Sequence, residues 1–162
     1  MTPMPPLPTV PTELHPALTV LPDAPTREQI EEFGCFLQSL EADQAPPDIG
    51  TAHHLAGDVY GRSVVIKAET FLVGLPHKED HLNVCVGDIV VWTEHGKQRL
   101  TGAHILPAKA GDMRVGFALA DTTWLSVHVN RTGGTDLAAI EESLVEHSDR
   151  LMSRRFPMLE AA

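Results

Sequence analysis

From Thr51 to Asn130 the chain is a succession of short β-branched and aliphatic runs separated by turn residues, and this texture restricts the folds open to it. The runs Ser63–Ala68, Thr70–Val73, Leu82–Val86, Asp88–Trp92, Gln98–Thr101, His104–Leu106, Arg114–Ala118 and Thr123–Val129 are predicted strands. Gly74, Gly87, His95-Gly96, Pro107, Gly111 and Asp121 punctuate them. Short strands at regular spacing indicate an antiparallel sandwich or barrel. Trp92-Thr93-Glu94-His95-Gly96-Lys97 is a hairpin turn ending at glycine.

The flanks differ in kind. Residues 1–25 hold eight of the 13 prolines, and proline fixes φ and removes a donor. The expectation is an extended arm, neither helix nor interior strand. Met4, Leu7, Val10, Leu14, Leu18, Val20 and Leu21 punctuate it, so it is expected to dock on a neighbouring subunit rather than to float in solvent. Thr26 opens a helix over 26–40, with Gln29 as capping-box partner and Ile30, Phe33, Leu37 and Leu40 as its apolar stripe. Residues 26–50 are then helix and linker, and 51–130 the β-body. Residues 131–162 form a second helix over 135–155 and a tail. Thr135 is its N-cap, Leu137, Ile140, Leu144, His147 and Leu151 its apolar face, and Glu141, Glu142, Glu146 and Asp149 its solvated one.

A chain of 162 residues fits one domain with a real core. Twelve Lys and Arg against 22 Asp and Glu give a net charge of −10, which argues against binding a phosphate backbone. No stretch approaches a membrane span, and Met1–Pro6 lack the features of a signal peptide, so neither membrane insertion nor secretion is expected. Cys35 and Cys85 fall in a predicted helix and a predicted strand, where they read as buried small apolar residues.

The chemistry concentrates in His77-Lys78-Glu79-Asp80-His81, which runs into the strands around Gly87. His77 and His81 are the candidate metal ligands, with Glu79, Asp80 or His104 as further donors. Against them stands a polar barrel mouth or interface holding no metal. Ser63 and Ser126 lack a nucleophile elbow, and Gly133-Gly134 lacks the context of a phosphate loop. His53, His54 and His128 read as scattered surface or strand residues, and Trp92 and Trp124 as core or interface side chains.

Over roughly residues 63 to 130 the chain resembles a cupin, a small double-stranded β-helix or jelly-roll barrel. The family's first motif corresponds to Gly74 through Gly96, around His77, His81 and Gly87, and its second to Pro107 through Ala118. Leu75 stands where the family places its first histidine and Arg114 where it places its third. The run from His77 to Asn83, Val91–Gly96, Arg114–Phe117, Trp124–Asn130 and Thr135–Leu137 resemble small cupin-like proteins of tailed bacteriophages. A basic residue at the Arg114 position is usual in that group. The resemblance implies a phage setting; with the apolar-studded arm, Arg114 and the acidic composition, the expectation is a non-enzymatic, virion-associated or assembly protein found in the virion or host cytoplasm. It would be a homo-oligomer contacting other virion proteins through its arm, with no nucleic acid or membrane partner and no catalytic residue. The alternatives are a metal-dependent cupin enzyme of isomerase or dioxygenase type, or a metal-free barrel for a small ligand. A divalent metal is the one cofactor left open.

Overall fold

A computed structural model describes residues 15–41 and 50–148. A 3-10 turn, Pro16–Thr19, precedes helix α1, Arg27–Glu41. Six strands follow: β1 Ala52–Ala56, β2 Val59–Ile66, β3 Phe71–Val73, β4 His81–Thr93, β5 Gly96–Ala108 and β6 Val115–Val129. Helix α2, Leu137–Leu144, closes the order. The strands form one antiparallel sheet in the order β1-β2-β6-β4-β5, with β3 paired to β6. The expected mainly β, antiparallel architecture holds. No helix among the described residues is long and apolar enough to cross a membrane.

Several predicted strands are halves of longer ones. Leu82–Val86 and Asp88–Trp92 are one strand, β4, because Gly87 sits inside it at a register shift against β6. A Cβ at Gly87 would lie 2.7 Å from the Cα of Thr122, so glycine lets the two backbones meet. Thr122 uses that proximity: its hydroxyl accepts from the Asp88 amide at 3.1 Å and donates to the Ala120 carbonyl at 2.8 Å. Strand β1 was not predicted, since Ala52-His53-His54-Leu55-Ala56 has no β-branched residue; its pairing with β2 holds it.

Alternation gives the sheet an inner face. It carries Tyr60, Arg62, Val64 and Ile66 of β2, His81, Asn83, Cys85, Ile89 and Val91 of β4, and Trp124, Ser126 and His128 of β6. Val90, Trp92, Val115 and Phe117 point to the other side, where Ile30 and Phe33 of α1 and Leu18 and Leu21 cover them. Trp92 is 0% exposed. The remainder of that outer side stays open and apolar, with Leu82, Val86, Ile105 and Val129 exposed and Ile105 at 70%.

The C-terminal part of the predicted arm therefore packs on its own chain. Residues 16–19 are helical despite the proline density, because Pro16 occupies the start of the turn, where a missing amide costs nothing. Lys97 fastens the segment, pairing with Asp23 at 2.7 Å and donating to the Leu18 carbonyl at 3.3 Å. Residues 1–14 of the arm lie outside the described residues.

Helix α1 opens as predicted. The Thr26 amide donates to Gln29 Oε1 at 2.9 Å and the Gln29 amide to Thr26 Oγ1 at 3.2 Å. Leu40 is exposed, and so is Cys35, which corrects its reading as a buried residue; Cys85 is buried as expected. Helix α2 is shorter than 135–155 and starts one residue later than predicted, with Asp136 as N-cap accepting from the Ala138 amide at 3.0 Å. It stops at Leu144 because Val145 turns extended and bridges to His77. Glu141, assigned to the solvated face, is buried, while Leu137 is exposed. The predicted helical residues 149–155 lie outside the described residues.

Candidate metal-binding cavity

The inner face lines a cavity of about 560 Å³, within the range of small-molecule sites. Its apolar wall includes Val64, Ile66, Ile89 and Val91, and α2 contributes Leu144. Three imidazoles converge on one side. His81 opens β4, His128 lies near the end of β6, and His77 sits in the preceding loop, held by backbone bonds to the segment after α2. The Lys78 amide donates to the Leu144 carbonyl at 2.8 Å and the Glu146 amide to the Pro76 carbonyl at 3.0 Å, fixing the loop on both sides of His77.

The rings stack with centroids 4.1 Å apart for His77 and His81, 4.7 Å for His77 and His128, and 4.5 Å for His81 and His128. One potential ligand nitrogen from each lies within 4.8 Å of the others. His77 Nδ1 and His128 Nε2 are 2.8 Å apart. This is a hydrogen bond between the two rings; nitrogens of a tetrahedral site on metal bonds of ~2.1 Å stand about 3.4 Å apart, so a cation would replace the shared proton and part the pair slightly.

The tautomer of His81 follows from its neighbours. Its Nδ1 lies 3.0 Å from the Glu79 carbonyl, which only accepts, so Nδ1 carries the proton and Nε2 keeps a lone pair. Asn83 faces that lone pair with its amide nitrogen at 3.4 Å. Trp124 Nε1 and Ser126 Oγ both donate to Asn83 Oδ1, at 3.1 and 2.7 Å, which orients the amide. An imidazole whose remote N–H is held by a backbone carbonyl is the usual arrangement of a metal ligand. His128 Nδ1 is buried and has no hydrogen-bond partner among the described residues. The donor set thus fits a divalent cation that accepts nitrogen ligands.

Burial keeps the cluster neutral. It pulls His77 down to about 2, with the neighbouring imidazoles and the Arg62 and Arg114 guanidinium groups acting in the same direction. Burial, helped by His81, brings His128 down to about 4, and burial also lowers His81. Burial raises the Cys85 thiol to about 11, which leaves it inert as a nucleophile.

The predicted ligands His77 and His81 come together, and the third imidazole is His128, read from sequence as a scattered histidine. Strand β6 did carry a signal for it: Trp124, Ser126 and His128 alternate with Leu125, Val127 and Val129, giving a polar face that turns inward. The other predicted donors are engaged elsewhere. Glu79 pairs with Arg131 at 2.8 Å, Asp80 with Lys109 at 2.8 Å, and His104 bonds the Thr101 carbonyl at 2.9 Å. Arg114 lines the cavity, as its place in the sequence suggested.

No protein-family model and no curated protein matches the chain. Solved structures similar to it include the plu4264 protein of Photorhabdus luminescens, at 12% identity and TM-score 0.45 over 54% of this chain and 80% of that one. KdgF from Halomonas sp. is similar at 20% identity and TM-score 0.42, over 56% of this chain and 90% of its own. A cupin-2 domain protein from Shewanella frigidimarina is similar at 10% identity and TM-score 0.41, over 58% and 91%. At these identities the likeness is one of β-fold, and nothing in it bears on a phage origin.

Proposed function

We propose that this protein is a metal-dependent small-molecule domain in which His77, His81 and His128 hold a divalent cation at the wall of the inner cavity. The observation that carries this reading is the convergence of three imidazole nitrogens within 4.8 Å. It favours the enzymatic alternative over the non-enzymatic virion role. A cation bound there supplies a Lewis acid for a ligand oxygen. The chain's own contribution is positional: the Glu79 carbonyl fixes His81, the segment after α2 fixes His77, and the apolar wall excludes water.

Elemental analysis of the purified full chain, before and after loading with zinc, manganese or iron, tests the site. One equivalent per chain is expected, falling to background in the folded His77→Ala/His81→Ala and His128→Ala variants. A folded wild type that takes up none of these metals would sink the reading.

An assembly role keeps one observation in its favour, the apolar outer side around Leu82, Val86 and Ile105. We infer a homo-oligomer that covers this side with a second copy. Sedimentation should show Ile105→Lys dissociating it, and a wild type that is monomeric at micromolar concentration would remove this reading. The virion and arm-partner readings draw on residues 1–14, because Leu18 and Leu21 are spent on their own chain's core.

A further inference from the structure

One wall of the cavity is a short element on an exposed tether. Glu141, Leu144, Val145, Glu146 and His147 line it, all from α2 and the residues just after it. A helix of eight residues is marginal on its own and keeps its place through what it buries. Within residues 131–148 the buried side chains are Ile140, Glu141, Leu144 and Val145, and every residue from Arg131 to Ala139 is exposed. Ile140, Leu144 and Val145 pack with Tyr60 and Leu75, and Glu141 Oε1 lies 3.9 Å from His53 Nδ1.

The connection to β6 is fixed up to Gly134 and open beyond it. The Asn130 amide donates to the Asp58 carbonyl at 2.7 Å. Its side chain accepts from the Thr132 hydroxyl at 2.7 Å and donates to the Gly134 carbonyl at 2.9 Å, which ties the turn to itself. An added Cβ at Gly133 or Gly134 would meet no atom within 4 Å, so nothing packs against the tether there. The torsions able to swing the helix therefore begin at the exposed Thr135.

At its far end the helix is latched to the loop that carries His77. The Lys78 amide bonds the Leu144 carbonyl, the Glu146 amide bonds the Pro76 carbonyl, and the Lys78 ammonium donates to the Glu142 carbonyl at 2.7 Å. The Gly111 amide holds the same loop from elsewhere, donating to the His77 carbonyl at 2.8 Å. The loop is thus shared between the 109–112 turn and α2, with His77 at its centre.

We propose that residues 135–148 form a lid over the cavity, pivoting at Thr135 and latched by the His77 loop, so that a cation on His77 and closure of the lid favour each other. The coupling rests on the metal reading above; the lid itself does not. Linkage makes the coupling reciprocal: a cation that fixes His77 against β4 and β6 also fixes the edge to which Leu144 and Glu146 bond.

Amide hydrogen exchange of the full chain, followed by NMR on zinc-loaded and EDTA-treated protein, tests it. The Lys78, Ile140, Val145 and Glu146 amides report the lid, since each is bonded within it or across the latch. In EDTA-treated protein these four should exchange together, about tenfold or more faster than the central amides of β4 and β6. One equivalent of zinc should slow them about tenfold, and more than it slows the strands. Lys78→Met, a change of an exposed side chain, should speed the four amides about threefold and speed zinc loss to EDTA by a similar factor, with zinc stoichiometry unchanged. Four amides that exchange only with the strands in zinc-free protein would show that no lid opens and overturn the proposal. Bound zinc that leaves their exchange unchanged would uncouple lid from cation and overturn it as well. A chain that takes up no zinc removes the metal reading and the coupling with it, and the zinc-free exchange then decides the lid alone.

Discussion

Asn83 is the residue on which the geometry of the cluster turns. Its oxygen is occupied by Trp124 and Ser126, so its amide nitrogen is the part presented to His81. Asn83→Asp exchanges that donor for an acceptor and places a carboxylate beside the lone pair. Metal uptake should survive, with changed preference among zinc, manganese and iron; an Asn83→Asp variant with wild-type preference would show that the amide orients nothing. Gly87 makes the opposite demand, for the absence of an atom. Gly87→Ala must push β4 and β6 apart at Thr122, a cost of about 1–3 kcal/mol by overpacking, read as a lower urea midpoint. At this scale the sequence was half legible. His77 and His81 announce themselves because they lie only four positions apart. His128 lies 51 residues beyond His77, and only the pairing of β6 with β4 brings it alongside. Arg114 was visible as a departure from a family pattern, but its meaning depended on a cavity that one sequence does not display.

The elements differ in how far local chemistry determines them. Helix α1 is readable from Thr26 onward because capping and the apolar stripe are written in adjacent residues; the cap appears in the fold, and the stripe does as far as Leu37, with Leu40 exposed. Thr26→Ala should therefore cost about 1 kcal/mol, measurable as a fall in Tm. Strand lengths were misread because a glycine was taken as an end, whereas at Gly87 the strand continues through a bulge that tertiary contact requires. Helix α2 was read too long for the converse reason: its apolar periodicity extends past Leu144, but Val145 is taken by the bridge to His77. That bridge links packing to the site. Ile140 and Leu144 bury against Tyr60, and the segment after them holds the His77 loop. Leu144→Ala should lower stability by about 2–5 kcal/mol in urea titration. It should also weaken metal affinity more than the same substitution at Leu100, which is buried in the sheet away from the loop.

For the molecule as a whole, the clustered imidazoles, His81 and His128 buried and His77 half-buried, couple stability to pH. An unfolded histidine titrates near 6.5, while in the fold His77 titrates at about 2 and His128 at about 4. Above about pH 7.5 both states are neutral at these positions, so the cluster contributes no slope. Below it the unfolded chain takes up protons that the folded chain refuses, and by linkage the folded state loses stability as pH falls. The loss should begin near pH 7.5, steepen through 6.5 and continue as the pH falls to about 4 for His128, and lower still for His77. Asp80, held below the usual carboxylate range by Lys109 and the Ala110 amide, and Asp121, held there by the Ala68 amide and Lys67, add a loss of the same sign at lower pH. Urea midpoints of EDTA-treated protein should be flat above about pH 7.5 and fall steadily from there toward pH 4.5. In His77→Gln/His128→Gln that fall should be much shallower, because glutamine cannot gain a charge in either state. A double variant with the wild-type slope would place the acid sensitivity outside the cavity. It would also mean that the imidazoles are more open to water than their place in the cavity wall implies.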